Sequence, residues 1–230
     1  MKLSKRLQSL INYVPQNSIV ADIGTDHGYV PCALIENGIS KYVIATDVSQ
    51  NSLSKTTELI DTKLFKDKIT TRVGNGLEPI KPFEVDTVII AGMGGTLISE
   101  ILNQNLKKAD TYINFILQPM VASTELRIFL NNNGFEIIDE DLVEEDDFIY
   151  EIIFAKRGLE FIGDDIYFEI SNKLINKKHH LLEKFISKKI EQCIDVKKEL
   201  EDHLYSQKAN ERYDEIEHKI LKYKEVLKCL

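Results

Sequence analysis

The sequence predicts an α/β fold in which a parallel sheet is closed by an antiparallel hairpin and followed by a helical tail. Up to about residue 133, short apolar runs of strand length alternate with stretches of helical periodicity, as in a parallel sheet covered by helices on both faces. Two strand-like runs then follow with only four residues between them. Beyond Gly158 the composition shifts to Lys, Glu, Leu and Ile, which is typical of solvent-facing helices.

The first part of the chain is expected to contain five parallel strands and the helices that connect them. A first helix is predicted over residues 3–13, where Leu3, Leu7, Leu10 and Ile11 share one stripe. The predicted strands are residues 18–22, 42–47, 69–73, 85–91 and 112–117. The predicted helices between and after them are residues 29–37, 49–64, 97–105 and 124–132.

Residues 136–143 and 148–156 are the two strand-like runs that close the sheet. Because four residues cannot carry a helical crossover, these strands must pair antiparallel. A parallel sheet that ends in such a hairpin is the layout of Rossmann-like class I methyltransferases, whereas an NAD-binding domain more often continues with a parallel sixth strand. We therefore expect a Rossmann-like methyltransferase domain over residues 1–157.

Residues 158–230 are predicted to form a helical coiled-coil domain. Two apolar seams have the spacing of a coiled coil, with Lys197 as the exception in the first: Leu182, Ile186, Ile190, Cys193, Leu200 and Leu204, then Tyr213, Ile216, Ile220, Tyr223 and Leu227. We expect two antiparallel helices joined by a turn at 206–210. If most of residues 165–205 is helical, the first would be about 60 Å long. We expect a monomer; a dimer formed through this tail is the alternative.

Composition and charge restrict the class of protein. No apolar run approaches the roughly 20 residues that span a bilayer, and no apolar signal core follows the charged N-terminal residues. Cys32, Cys193 and Cys229 are too scattered to bind a metal or form a disulfide framework, which favours the cytoplasm. The net charge is -8, yet residues 173–228 hold 14 Lys and Arg against 11 Asp and Glu, leaving 15 against 26 elsewhere. This basic tail is compatible with RNA binding and equally with solvated helix faces.

The loop after the first strand predicts a cofactor site. Asp22 ends an apolar run, and Gly24 and Gly28 bracket a tight turn. Asp26 occupies the place of the middle glycine of a dinucleotide fingerprint, where it would repel a diphosphate. S-adenosylmethionine carries a sulfonium and an amino group instead, which carboxylates can face. Asp47, 25 positions after Asp22, can accept both hydroxyls of a ribose. The alternative is a purely structural turn.

Further candidates follow the later strands. Asn75 and Gly76 follow the third strand, where an Asn oxygen can accept from an adenine amine or the pair can simply form a turn. The glycines of residues 91–95 leave room for a flat base, although close packing alone would also explain them. No Asn/Asp-Pro-Pro-aromatic motif of exocyclic-amine methylation occurs, which favours a ring nitrogen as acceptor. His27 and Tyr29 are placed to border the acceptor pocket, and Gln118 is a candidate to offer it an amide.

The combination resembles the bacterial tRNA (adenine(22)-N1)-methyltransferase family over roughly residues 1–157. The motifs that carry the resemblance are residues 3–7, 22–31, 46–48, 74–77, 91–95 and 117–119. The resemblance implies methyl transfer from S-adenosylmethionine to N1 of adenine 22 in tRNA. We expect catalysis mostly by positioning and electrostatics, without a metal or a covalent intermediate. The resemblance places Asp26, His27 and Tyr29 at the catalytic site. It implies that the cofactor is held by Asp22, Gly24, Gly28, Asp47, Val48, Asn75, Gly76, Ala91, Gly92 and Met93.

Three other functions are compatible with parts of the pattern. One is an NAD-dependent oxidoreductase, against which the missing middle glycine and the closing hairpin both count. The second is a methyltransferase of another RNA base. The third is a non-catalytic RNA-binding module that keeps a degenerate cofactor pocket.

Overall fold

The computed structural model describes residues 3–201 and 206–230. By its internal contacts the chain divides into two compact units, Met1–Phe161 and Ile162–Leu230. The elements of the first unit are α1 Lys5–Asn12, β1 Ser18–Ile23, α2 Tyr29–Glu36, β2 Ser40–Asp47, α3 Gln50–Lys63, β3 Ile69–Val73, β4 Thr87–Met93, α4 Gly95–Asn103, α5 Leu106–Ala109, β5 Asn114–Pro119, α6 Ser123–Asn132, β6 Phe135–Glu145 and β7 Phe148–Arg157. Those of the second are α7 Ile166–Glu169, α8 Asn172–Asn176, α9 Leu182–Glu201 and α10 Gln207–Lys228.

The first unit is built on a seven-stranded sheet with the order β3-β2-β1-β4-β5-β7-β6. Strands β1 to β5 are parallel, and β7 runs antiparallel to both β5 and β6. The predicted α/β class and its closing hairpin are therefore confirmed. The strand order reverses between β1 and β4, and in such sheets a crevice opens at that point outside the carboxyl ends of the strands.

Apolar side chains cover both faces of the sheet, which explains the continuous apolar runs in the sequence. On β4, Val88 and Ile90 belong to the core of one face and Ile89 to that of the other, because successive side chains of a strand point to opposite faces. All three are fully buried. A strand buried on both faces needs no alternation of polar residues.

A buried ion triad joins α6 to the hairpin. Arg127 is 1% exposed. Its Nε donates to Glu140 Oε1 at 2.8 Å, and its Nη2 donates to Glu151. Ser123 Oγ donates to the other oxygen of Glu151 at 2.5 Å. Burial raises the pKa of Glu140 to about 7, although the Arg127 charge opposes the rise. Two acids thus share one guanidinium away from water.

The first helix is held against β6 by polar contacts at three levels. The backbone N–H of Arg6 donates to Glu145 Oε2 at 2.9 Å, Ser9 Oγ donates to Asp141 at 2.5 Å, and Tyr13 OH donates to Asp139 at 3.0 Å. These bonds explain why the positions of β6 that face α1 are acidic. They also fix α1 beside the carboxyl edge of the sheet, since Glu145 ends β6.

In the second unit, the condition for a helix about 60 Å long is not met, because residues 165–201 do not form one continuous helix. The described part of that segment forms α7, α8 and α9, because Ile170 is extended, Ser171 caps α8 through its side chain, and Lys178 has a positive φ of 48°. Helix α9 is 20 residues long, so it spans about 30 Å. Leu204 of the predicted seam lies outside the described residues.

Helices α9 and α10 run antiparallel. Near one end, Lys189 and Lys219 both contact Glu169, while further along α9 Lys197 pairs with Glu217 at 2.9 Å. The buried residues between them come from both predicted seams: Leu182, Ile186, Ile190, Ile216, Ile220 and Tyr223. Within the described chain, no helix combines the length and the apolar character needed to cross a membrane.

Candidate functional site

A cavity of about 640 Å³ lies at the carboxyl ends of β1, β2 and β4 in the first unit. Its wall combines acidic side chains with bare backbone and a few apolar groups: Leu3, Ser4, Arg6, Leu7, Asp22, Gly24, Thr25, Asp26, Tyr29, Val30, Asp47, Ala91, Gly92, Met93, Met120 and Glu145. This is the edge at which the strand order reverses, so the topology and the cavity indicate the same site.

Asp22 is the buried acid of the cavity. It ends the apolar run of β1 and is 5% exposed. Burial raises its pKa to about 6, the hydrogen bond from the Thr25 side chain opposes this, and the nearby Asp47 charge adds to it. A carboxylate that has lost its water is stabilised by a positively charged partner. Asp22 is therefore suited to a cationic ligand group.

The turn after β1 brings the backbone into the wall. Gly24 has a φ of 74°, and its N–H and that of Thr25 both donate to the carbonyl oxygen of Thr46 at 2.8 Å. A Cβ on Gly24 would collide with the methyl group of Met93. Only glycine combines this left-handed backbone with so close an approach. The turn thus holds β1, β2 and the end of β4 together around the cavity.

Asp47 occupies the corresponding position at the end of β2. It is half-buried, and its Oδ1 accepts a hydrogen bond from the backbone N–H of Ser49 at 2.6 Å. That bond fixes the carboxylate toward the start of α3, whose N-cap is Ser49. An acid so fixed beside the cavity can accept from ligand hydroxyls.

The end of β4 is distorted where it meets the cavity. The pairing with β5 shifts register between Ala91 and Met93, and Gly92 has a φ of 76°. The Gly92 N–H donates to Gln118 Oε1 at 3.1 Å. Because Gly92 has no side chain, the backbone forms this part of the cavity wall, and a ligand can approach it closely.

Asp26, His27 and Tyr29 form a surface at the mouth of the cavity. Asp26 Oδ1 lies 3.3 Å from His27 Nε2, and the His27 and Tyr29 rings stack with centroids 5.6 Å apart and an angle of 19°. Asp26 and Tyr29 line the cavity, and Tyr29 is 44% exposed. A half-exposed ring supported by a second ring offers a flat apolar face.

The structure brings together eight of the thirteen residues predicted for the site. They are Asp22, Gly24, Asp26, Tyr29, Asp47, Ala91, Gly92 and Met93. Of the others, the His27 ring stacks on the Tyr29 ring. Gly28, at the start of α2, packs against Thr56 of α3, and Gly76 packs against Ile101. Val48 is 67% exposed, and Asn75 is exposed as well. These five lie outside the wall of the cavity as the structure describes it.

Sequence reasoning missed the contributions of α1 and the hairpin, which include Arg6 and Glu145. For Arg6 the sequence signal was the charged start of an amphipathic helix, which does not indicate the direction in which the helix docks. Glu145 lies in the acidic turn between the two predicted hairpin strands, which does not indicate a contact with α1. Gln118 was expected to offer its amide to an acceptor. It is fully buried instead, with its Oε1 accepting from Arg6 and Gly92 and its Nε2 donating to Pro119 O at 2.8 Å.

Two further observations favour the cavity of the first unit over a site in the second unit or a metal site. A second cavity, of about 460 Å³, lies in the second unit, where Glu169 meets Lys189 and Lys219 and Arg212 pairs with Glu215. Its charges are thus matched within the protein. Among the described residues, no group of three His, Cys, Asp or Glu side chains is arranged to hold a metal ion.

Comparison with known proteins agrees with the geometry. The model of a methyltransferase-domain family matches residues 3–153. The tRNA (adenine(22)-N(1))-methyltransferase of Bacillus subtilis is 37% identical over 158 residues, which cover 69% of this chain and 66% of that protein, just under two thirds of its length.

Solved structures are similar over almost the whole chain. The structure of the B. subtilis m1A22 tRNA methyltransferase TrmK has a TM-score of 0.90 at 28% identity, covering 98% of this chain and 99% of that one. A Streptococcus pneumoniae protein, described as a candidate tRNA (m1A22) methyltransferase in complex with S-adenosyl-L-methionine, has a TM-score of 0.88 at 30% identity. That likeness covers 98% of this chain and all of the other.

Proposed function

Because the chain belongs to the tRNA (adenine(22)-N1)-methyltransferase family, we propose that it transfers a methyl group from S-adenosylmethionine to N1 of adenine 22 in tRNA. One observation supports this most strongly. The cavity at the reversal point of the sheet is lined by a buried carboxylate, Asp22, and a second carboxylate, Asp47, at the ends of adjacent strands. That arrangement fits a cationic nucleoside.

The residues of the cavity fit this cofactor better than a dinucleotide. Its wall carries the four acids Asp22, Asp26, Asp47 and Glu145, which would repel a diphosphate and attract a sulfonium and an ammonium group. In this proposal Asp22 faces the positive charges, Asp47 accepts from the ribose hydroxyls, and the backbone at Gly92 allows close approach. When bound, the cofactor supplies an electrophilic methyl group.

The chain's own residues then contribute positioning and electrostatics. Adenine N1 has a lone pair in the plane of the ring and bears no proton when neutral, so its attack on the methyl group needs no general base. Tyr29, supported by His27, offers a face on which the base can stack. Asp26, at the mouth of the cavity, is placed to stabilise the positive charge that the methylated base acquires. In this proposal His27 acts through Tyr29 and moves no proton.

The second unit is proposed to bind the body of the tRNA. A base in a folded RNA must be turned outward to reach a cavity of this kind, and phosphate contacts would hold the RNA in place while it does so. Residues 173–228 carry a net charge of +3 in a chain of net charge -8. We propose residues 1–157 as the cofactor-binding domain and residues 158–230 as a coiled-coil RNA-contacting domain. We also propose that the protein is a monomer and acts in the cytoplasm.

Nucleoside mass spectrometry tests this function. Unmodified tRNA is incubated with the protein and S-adenosylmethionine carrying a labelled methyl group, then digested to nucleosides. We expect the label in 1-methyladenosine, and an adenine-to-guanine change at position 22 should abolish it. Label in another base would favour a different RNA methyltransferase, and a protein that never transfers label would be a binding module. Calorimetry with NAD and S-adenosylhomocysteine tests the oxidoreductase alternative, which binding of NAD without binding of S-adenosylhomocysteine would support.

A further inference from the structure

The acidic cavity contains one basic group that the proposed function has not used. Arg6 is the single Lys or Arg among the described residues that line it. It projects from the first turn of α1, next to the carboxyl ends of β4 and β5. Because four carboxylates share the same wall, a lone guanidinium there marks the place where a negatively charged ligand group can be accommodated.

The Arg6 head group is fixed beside the end of β4. Its Nη1 donates to Gln118 Oε1 at 2.5 Å, and the same oxygen accepts from the Gly92 N–H at 3.1 Å. A Cβ built on Gly92 would lie 4.0 Å from Arg6 Nη1. The guanidinium also lies over the ring of Tyr150, 5.4 Å from its centroid. The buried amide of Gln118 thus orients Arg6 toward the bare backbone of the cavity.

Most of the donor capacity of this guanidinium is still available. An arginine side chain has five N–H donors, and the hydrogen bond to Gln118 uses one. Glu145 is the neighbouring acid, but it accepts from the backbone N–H of Arg6, and this bond is the main reason that its pKa is lowered. In the described part of the chain no carboxylate oxygen lies within 4 Å of the guanidinium.

The helix that carries Arg6 is itself anchored. The bonds from Arg6, Ser9 and Tyr13 to acids of β6 hold α1 at three successive levels. A charged group held in place before binding loses little side-chain entropy when the ligand arrives. The anchoring therefore suits a ligand contact better than a mobile surface charge would.

We propose that Arg6 binds the carboxylate of the methionine part of the cofactor. This inference rests on the proposed function and extends it, since the amino-acid part of S-adenosylmethionine is a zwitterion. Asp22 suits its cationic groups, and without Arg6 its carboxylate would face only acids. A guanidinium matches a carboxylate with two parallel hydrogen bonds. Arg6 and Asp22 carry opposite charges and would thus together recognise the carboxylate and the ammonium group of an α-amino acid.

The test compares two ligands that differ only in this carboxylate. S-adenosylhomocysteine has it, whereas S-adenosyl-3-thiopropylamine keeps the amine and lacks the carboxylate. Calorimetry is carried out on the full-length protein and on Arg6→Gln. We expect the variant to lose roughly 10- to 100-fold in affinity for S-adenosylhomocysteine, as for a charged hydrogen bond, and less than about twofold for the amine. Arg6→Lys should recover part of the loss.

Controls separate a ligand contact from a structural effect. Lys5→Gln removes the same charge from an exposed neighbour outside the cavity and should leave both affinities unchanged. Equal losses for both ligands in Arg6→Gln, or no loss for either, would overturn the inference, as would a loss confined to tRNA binding. If the unmodified protein binds neither ligand, the proposed function fails as well. If it binds both and Arg6→Gln is silent, only the role of Arg6 fails.

Discussion

Replacing Asp22 by Asn is expected to stabilise the ligand-free protein while weakening cofactor binding. The side chain is 5% exposed, and burial raises its pKa from 3.8 to about 6. Keeping that carboxylate ionised in the fold costs roughly 3 kcal/mol at pH 7, since each tenfold change in a proton affinity is worth about 1.4 kcal/mol. Asn can still accept the Thr25 hydrogen bond but carries no charge, so the variant avoids this cost.

The sign of the pH dependence follows from the two pKa values. Between pH 3.8 and about 6 the folded protein keeps the proton that the unfolded chain has already lost, so unfolding releases a proton. The contribution of Asp22 to the free energy of unfolding is therefore fully present below pH 3.8 and is lost as the pH rises through about 6. Asp22→Asn does not titrate, so the advantage of the variant should grow from about 1 kcal/mol at pH 4.5 to about 3 kcal/mol at pH 7.

Urea unfolding at several pH values, without cofactor, measures this difference. Asp26→Asn is the matched control, because it changes an exposed carboxylate of the same turn and should shift stability by less than about 0.5 kcal/mol. If the difference in unfolding free energy between Asp22→Asn and the unmodified protein stays constant from pH 4.5 to 8, or if the variant is less stable throughout, ionised Asp22 does not destabilise the ligand-free fold. Calorimetry should show weaker S-adenosylhomocysteine binding to the variant, and weaker binding to the unmodified protein below about pH 6.

Three other sets of substitutions test separate parts of the structure. Asp47→Asn should weaken S-adenosylhomocysteine by about 10- to 100-fold and should weaken its decarboxylated analogue equally, because the ribose is common to both; unchanged affinity in calorimetry would count against the ribose contact. Arg127→Met should lower the free energy of unfolding by about 3–5 kcal/mol at pH 7, because it removes the buried guanidinium that pairs with both Glu140 and Glu151. Adding Glu140→Gln should restore part of that loss in urea unfolding, and a loss below about 1 kcal/mol would contradict the role given to the triad. Lys224→Glu combined with Lys228→Glu should weaken tRNA binding and flatten its salt dependence without affecting S-adenosylhomocysteine; identical tRNA affinities at several salt concentrations would argue against contact through α10.

Much of the fold and part of the site could be predicted from the sequence because both depend on local patterns. The apolar runs of β1, β2 and β4 are buried on both faces, and their lengths gave the strands. Asp22 and Asp47 each follow such a run, and the carboxyl ends of parallel strands meet at one edge of a sheet. Their shared cavity therefore follows from two local signals and one rule of topology.

The remaining features depend on contacts between distant segments. Arg6 reaches the cavity because its backbone bonds Glu145, 139 residues later. Gln118 was assigned to the acceptor because it follows a strand, but its amide is taken up by Arg6 and Gly92. Helix α4 begins at Gly95, not at the predicted residue 97, since the Gly95 N–H bonds the carbonyl of Val121 and its Cα packs close to Ala122. None of these partners is marked in the local sequence.

Apolar periodicity also misled the prediction of the second unit. Periodic Leu and Ile residues continue through residues 165–205, but Ser171 offers its side chain as a helix cap and Lys178 adopts a left-handed backbone. A cap of this kind competes with helix continuation for the same backbone donors. The periodicity indicated which residues are buried, whereas the breaks were set by single residues.

A crystal structure of the protein with S-adenosylhomocysteine bound would show directly whether the acidic cavity is the cofactor site. We expect the ligand in the cavity between β1 and β4, with its ribose at Asp47, its amine at Asp22 and its carboxylate at Arg6. A ligand bound elsewhere, or a cavity still empty at saturating ligand, would contradict it.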